Sequence, residues 1–267
     1  MNSNEPLFHL MEISYKYHRT TAVAGITLSI AAGEFVGLIG PNGSGKTTLL
    51  RLMSGFMQPY EGKVCLDQIP LDQWPLKSLA QNIAVVPQQV TIPFSFTGKQ
   101  MVLLGRIPHM GLSTPSPKDH AAAVQSLELI DALDLAERSY NTLSSGEKQK
   151  IILAQAMARN SRILLLDEPI SHLDIKWQTQ TLQLLSQINS QGSTIITAIH
   201  DLNLAAIYFP RLVLISQGQL IADGPPSTVL TKQLLEQVYE TAIAIHYPFG
   251  PKYPQISPMP LEVPTVN

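Results

Sequence analysis

Residues 40–48 read GPNGSGKTT and fit the pattern G-x-x-x-x-G-K-[ST]. Gly40, Gly43 and Gly45 allow backbone amides to turn inward as an anion nest, with Pro41, Asn42 and Ser44 between them. A helix starting near Lys46 would aim its positive end at bound phosphate. The Lys46 ammonium can reach β- and γ-phosphates, and the Thr47 hydroxyl can ligate Mg2+, with Thr48 beside it at the nest. A glycine-rich turn with a chance lysine is the bland alternative. A second group follows in ILLLDEP at 163–169, where an apolar run ends in Asp167 and Glu168. Asp167 can hold the magnesium shell, and Glu168 can polarise an attacking water as a general base. Alone, that pair could merely cap a strand.

These residues need elements that position them. EFVGLIG at 34–40 is a short apolar run ending on glycine, and TTLLRLMSG after the loop has helical character with a stop at Gly55. Residues 7–39 read as strands and turns, and a further strand falls at 83–86. From about 88 to 160 the apolar spacing lengthens to a helical period. Helices are expected over 97–106 and 118–134, parted by STPSPKD at 113–119. Strand-like runs return at 163–167, 194–199 and 212–216, with helices over 174–190, 201–208 and 228–239. That alternation predicts an α/β fold: a P-loop NTPase core with a mainly parallel sheet, an N-terminal antiparallel β subdomain and an inserted α-helical subdomain. The core is expected over 1–87 and 161–240, and the helical subdomain over about 88–160. The last twenty residues hold six prolines, so 241–267 reads as an extended, irregular tail.

LSSGEKQK at 143–150 resembles the ABC signature sequence, usually written LSGGQ. With the phosphate loop and the Asp167–Glu168 pair, it is similar in order to the ABC ATPase family over about 8–240. The resemblance implies ATP and Mg2+ as cofactors and assigns further residues. Tyr17 matches the aromatic that stacks on adenine, with Tyr15 as rival. Gln88 in VVPQQ matches the Q-loop glutamine that contacts magnesium and attacking water, with Gln89 as rival. Ser144, Ser145 and Gly146 match the signature and its helix start. Asp174 in SHLD matches the D-loop aspartate, and His200 in AIHDLN the switch histidine at the γ-phosphate. Three positions depart from the pattern: Ser145 stands where glycine is usual, Glu147 where glutamine is frequent, and Ile170 where threonine is common.

In this family the signature completes the site of a second ATPase subunit, so a dimer, expected to be a homodimer, is implied. PISHLD, IHDLNLA, LLGRIPHMG and IADGPPSTVLT resemble segments of the iron-siderophore, haem and cobalamin importer ATPases. That implies two transmembrane permease subunits as partners and, indirectly, an extracytoplasmic substrate-binding protein. Ile92, Phe94, Phe96, Ile107 and Met110 could form the groove for a membrane subunit, or an ordinary subdomain core. An exporter ATPase and a non-transport ABC ATPase of DNA repair or translation are the alternatives.

The bulk numbers agree with this frame. The 267 residues are 45% hydrophobic, enough for a packed core. A net charge of −2 does not suggest a nucleic-acid binder, although a local basic patch can hide in a near-neutral total, and no nucleic acid is expected as partner. One cysteine, Cys65, allows no internal disulfide and reads as a small buried hydrophobe. The opening MNSNEPLFHLMEIS lacks the features of a secretory signal, and no apolar run approaches the ~20 residues a bilayer span needs. A peripheral location on the cytoplasmic face of the inner membrane is the expectation.

Overall fold

The computed structural model describes residues 6–88, 90, 92–110, 114–171, 173–248, 250 and 253–259. The chain opens with an antiparallel hairpin, β1 (Phe8–Tyr17) and β2 (Thr20–Ile30). β3 (Phe35–Ile39) is wholly buried and leads into the phosphate loop and α1 (Lys46–Met53). β4 (Glu61–Leu66) and the two-residue β5 (Ile69–Pro70) return to the hairpin, giving a sheet of order β2-β1-β4-β5. α2 (Leu76–Asn82) then precedes β6 (Ile83–Val86).

The inserted helical part holds α3 (Gly98–Leu103), α4 (Pro117–Leu129) and α5 (Ser145–Ala158). The core resumes with β7 (Ile163–Asp167), α6 (Ile175–Ser190), β8 (Thr194–Ala198), α7 (Leu202–Tyr208), β9 (Arg211–Ser216) and β10 (Gln219–Gly224). α8 (Pro226–Val229), α9 (Lys232–Tyr239), β11 (Ile243–His246) and β12 (Gln255–Pro258) complete the described chain. The central sheet has order β10-β9-β3-β8-β7-β6 and is parallel except for β10. This is the expected layout of a mainly parallel core sheet, an antiparallel N-terminal sheet and an inserted helical part.

Strand alternation feeds two cores. On β7, Leu164 and Leu166 face the helical side with α5 and α6, whereas Ile163 and Leu165 face α1 and the N-terminal sheet. Both faces are covered, which is why these strands read as continuous apolar runs. Register then places the chemistry. Leu38 lies beside Ala198, and Ala198 beside Asp167. The loop after β3, the acids ending β7 and the turn after β8 therefore leave the sheet at one edge, where parallel sheets bind ligands.

Four expectations need correction. The helix expected over 97–106 ends at Leu103 and continues as a 3₁₀ stretch, Leu104–His109, that contains Pro108. The helix expected over 118–134 stops at Leu129, and Asp131 turns to a φ of 53° before a 3₁₀ turn at Leu133–Leu135. The helix expected over 228–239 is two helices, α8 and α9. The tail expected to be irregular pairs β11 with β12 antiparallel and buries Ile243 and Ile256 in the core. Proline content masked two four-residue strands whose isoleucines could reach apolar surface. Pro251, Pro260 and Pro264 of that tail, and Gln89, lie outside the described residues. Cys65 is buried, and burial pushes its thiol pKa up, in line with a packing role. Among the described residues no helix is long and apolar enough to cross a membrane.

Candidate functional site

The phosphate loop is shaped by its glycines. Gly45 precedes α1 with φ 108°, and a Cβ there would sit 2.3 Å from the Ala22 carbonyl oxygen. At Gly40, φ 143°, a Cβ would lie 1.9 Å from the Ile215 carbonyl oxygen. No other residue fits these two places without moving backbone. The Lys46 side chain curls back across the loop. Its ammonium donates to the carbonyls of Gly40 (2.8 Å) and Pro41 (2.9 Å) and, at 3.4 Å, to the Ser44 hydroxyl. Burial lowers its pKa, while Glu168 and Asp167 pull the other way. A phosphate would replace neutral carbonyls with charged partners for a desolvated cation.

Thr47, one residue along α1, donates its hydroxyl to Asp167 Oδ1 at 3.0 Å. Asp167 ends β7 and is buried. Burial raises its carboxyl pKa, the Thr47 hydroxyl lowers it, and Glu168 raises it again. One hydroxyl and one carboxylate, both hard oxygen donors side by side, fit Mg2+, which takes few protein ligands and completes its shell with water and phosphate. Among the described residues no group of three or more His, Cys, Asp or Glu side chains is gathered for a metal, and a site of this kind needs none.

Glu168 follows with φ 53°, the left-handed region that a non-glycine residue enters only under constraint. Its amide donates to the Ala198 carbonyl at 3.1 Å, and its own carbonyl accepts from the Ser171 hydroxyl at 3.0 Å. These bonds swing the carboxylate out of the strand line. Gln88 Nε2 donates to Glu168 Oε2 at 2.8 Å, and His200 Nε2 pairs with Glu168 Oε1. Gln88 leaves the sheet after β6 and His200 after β8, the two strands flanking β7. Three residues separated widely in sequence thus converge because their strands are neighbours.

A cavity of about 300 Å³ lies over the loop, lined by Asn42 to Thr48, Tyr17, Glu168 and His200. Tyr17 presents its ring there, its hydroxyl donating to Met57 Sδ at 3.5 Å and accepting from Arg51 Nη1 at 3.4 Å. Tyr15 instead packs against the N-terminal core. The arrangement offers an aromatic face, a triphosphate cradle, a magnesium pair and a carboxylate with two polar partners. It can bind a nucleoside triphosphate and activate water beside its terminal phosphate.

The remaining assigned residues do not line this cavity. Ser144 caps α5, its hydroxyl accepting from the Glu147 amide, while Glu147 Oε2 accepts from the Ser144 amide at 2.7 Å. Hydrogen bonds from Ser144, and from Arg138 at 2.5 Å, hold the Glu147 carboxyl down to about 2. Glutamate at 147, unusual beside the signature pattern, thus closes a capping box. Ser145 opens the helix, and Gly146 packs near Leu173, the residue before Asp174. Asp174 caps α6 by accepting from the Trp177 amide at 2.9 Å. Arg51 went unread in the sequence, although its place one turn beyond Thr47 was a visible signal.

Residues 23–171 match the family described as ABC transporter. The hemin import ATP-binding protein of Myxococcus xanthus is 37% identical over 241 residues, 87% of this chain and 90% of the relative. The ferric enterobactin transport ATP-binding protein of Escherichia coli is 36% identical over 230 residues, 85% of each. Among solved structures, a transporter described as of the metal-chelate ABC type, in an inward-facing conformation, matches with a TM-score of 0.83 at 25% identity. The match covers 96% of this chain and 98% of that one. A bacterial ABC transporter cassette solved as a dimer matches with a TM-score of 0.74 at 28% identity, over 82% and 98%. Fold, ordered motifs and relatives agree: the chain belongs to the ABC transporter family, as an ATP-binding and ATP-hydrolysing subunit.

Proposed function

We propose that this chain energises a membrane importer of metal chelates of the iron-siderophore, haem or cobalamin type. The observation that carries the chemistry is the convergence of Gln88, Glu168 and His200 beside Lys46, Thr47 and Asp167. The cargo class is supported by relatives named for hemin and ferric enterobactin import.

In this reading Tyr17 stacks on adenine, and the amides of 40–48 with Lys46 hold the phosphates. Thr47, Asp167 and Gln88 would hold Mg2+, which would supply positive charge to offset that of the phosphates. Glu168 accepts hydrogen bonds from Gln88 and His200 in the resting site. On ATP binding it turns to orient and polarise the attacking water, with His200 donating toward the γ-phosphate. Ser144, Ser145, Gly146 and Asp174 serve the site of a second copy of this chain, and ATP is held between the two. Closure of that pair moves two permease subunits, which receive cargo from an extracytoplasmic binding protein. The chain then works at the cytoplasmic face of the inner membrane.

The test is reconstitution in liposomes with the membrane subunits that co-purify with the chain. ATP-driven uptake of hemin, a ferric siderophore or cobalamin is expected. Cargo moving outward, or ATP turnover with no uptake of any of the three, would overturn the import reading.

A further inference from the structure

β11 and β12 form a ribbon of two four-residue strands, too little to be stable alone. It is anchored at both strands. Ile243 and Ile256 enter the core, and the Ile243 amide donates to Glu236 Oε1 of α9 at 3.0 Å. Ile245 packs against the same core, and a polar anchor is added by one side chain. The Ile256 amide donates to Asn203 Oδ1 at 2.7 Å, and Asn203 Nδ2 donates to the Ile256 carbonyl at 3.3 Å.

Ile256 stands opposite Ile245 with both of its polar groups turned outward. Such a residue in an antiparallel ladder expects a further strand there. The carboxamide of Asn203 takes that place, donating and accepting as a peptide group would. An aspartate could accept but not donate, and an alanine could do neither.

Asn203 sits in the first turn of α7, three residues after His200. Asp201 caps that turn by accepting from the amides of Asn203 and Leu204, each at 2.9 Å. The turn carrying His200 is therefore held from its own side by Asp201 and from outside by the ribbon.

We propose that Asn203 is a positioning residue for hydrolysis: its carboxamide bolts the C-terminal ribbon to the start of α7 and so fixes where His200 stands relative to Glu168. This rests on the reading of His200 given above. Loss of the bolt leaves the phosphate cradle and the Tyr17 face intact, so it acts on turnover and not on affinity.

The test is a double-mutant cycle on the full chain, with ATP affinity measured by titration and hydrolysis by single turnover. Asn203→Ala should lower the hydrolysis rate about tenfold, as expected for two lost hydrogen bonds at a geometric constraint, with ATP affinity within about twofold. Asn203→Asp, which keeps one of the two bonds, should fall between and serves if the alanine variant does not fold. In a His200→Ala background the Asn203 substitution should cost nothing further. An unchanged rate for Asn203→Ala with a slow His200→Ala would overturn the positioning role alone. So would equal losses in both backgrounds, which would mean a general loss of structure. A normal rate for His200→Ala would instead remove the reading of His200, and the role of Asn203 with it.

Discussion

The phosphate-loop edge of the sheet and the start of α5 are built on opposite terms. At the first, groups are buried and in tension. Lys46 is a desolvated cation resting on neutral carbonyls, Asp167 a desolvated carboxylate held by one hydroxyl, and Glu168 a side chain swung out by a left-handed backbone. At the second, the polar side chains close on one another within one turn. Ser144 and Glu147 cap each other, and Arg138 neutralises the acid. The first region has stored cost that a ligand can release; the second offers a capped helix end whose residues do not line the phosphate cavity. The contrast is the one the proposed shared site expects of a half-site and its complement.

The sharpest way to break the comparison is at Glu168. Glu168→Gln keeps the shape and should slow hydrolysis by about 10²–10⁴-fold while ATP still binds, as loss of a general base requires. Steady-state hydrolysis with parallel ATP titration checks this; normal turnover would end the general-base proposal. Lys46→Ala should instead weaken ATP binding, by roughly ten- to a hundredfold for the loss of charged hydrogen bonds to phosphate.

Asp167 tests the tension itself. Its folded pKa is raised, so the folded state holds its proton more tightly than the unfolded chain. Ionisation above the unfolded value near ~3.9 therefore costs stability, and that cost persists at neutral pH. Asp167→Asn keeps an acceptor for Thr47 and removes the charge. The nucleotide-free protein should melt higher by roughly 2–4 °C, if about 1 kcal/mol is relieved, while magnesium-dependent hydrolysis is lost. A lower melting temperature would contradict the electrostatic account.

The smallest effect belongs to α5. Ser144→Ala should cost about 1 kcal/mol of stability through the lost cap, with ATP affinity of the isolated chain unchanged. Glu147 has the opposite sign to Asp167. Its folded pKa is depressed to about 2, so its contribution is present above the unfolded carboxyl value and disappears as pH falls through about 2. Thermal unfolding of wild type and Ser144→Ala across acid pH checks both.

Much of this was legible in the residues. Continuous apolar runs announced β3, β7 and β8 because strands covered on both faces leave no room for polar alternation. The loop, Asp167 and Glu168 were legible because their chemistry sits at fixed local spacing. The meeting of Gln88 with Glu168 and His200 was available only through the family resemblance, since it depends on β6, β7 and β8 being neighbours. The C-terminal ribbon was hidden by prolines at 248 and 254 that bracket its turn, and its anchor, Asn203, lies 53 residues away in sequence. Ser144 and Glu147 did carry a local signal, serine and glutamate at capping-box spacing, although Glu147 stands out first as a departure from the signature pattern.

The claim that the loop edge is half of a shared site can be measured directly. Two Glu168→Gln chains are mixed in equal amounts, one carrying Asn42→Cys and the other Ser145→Cys, and treated with a short bismaleimide linker. Buried Cys65 keeps background low. The account predicts a covalent dimer that forms only with ATP and only in the mixture. No cross-link in saturating ATP, or one that ignores nucleotide, would contradict it.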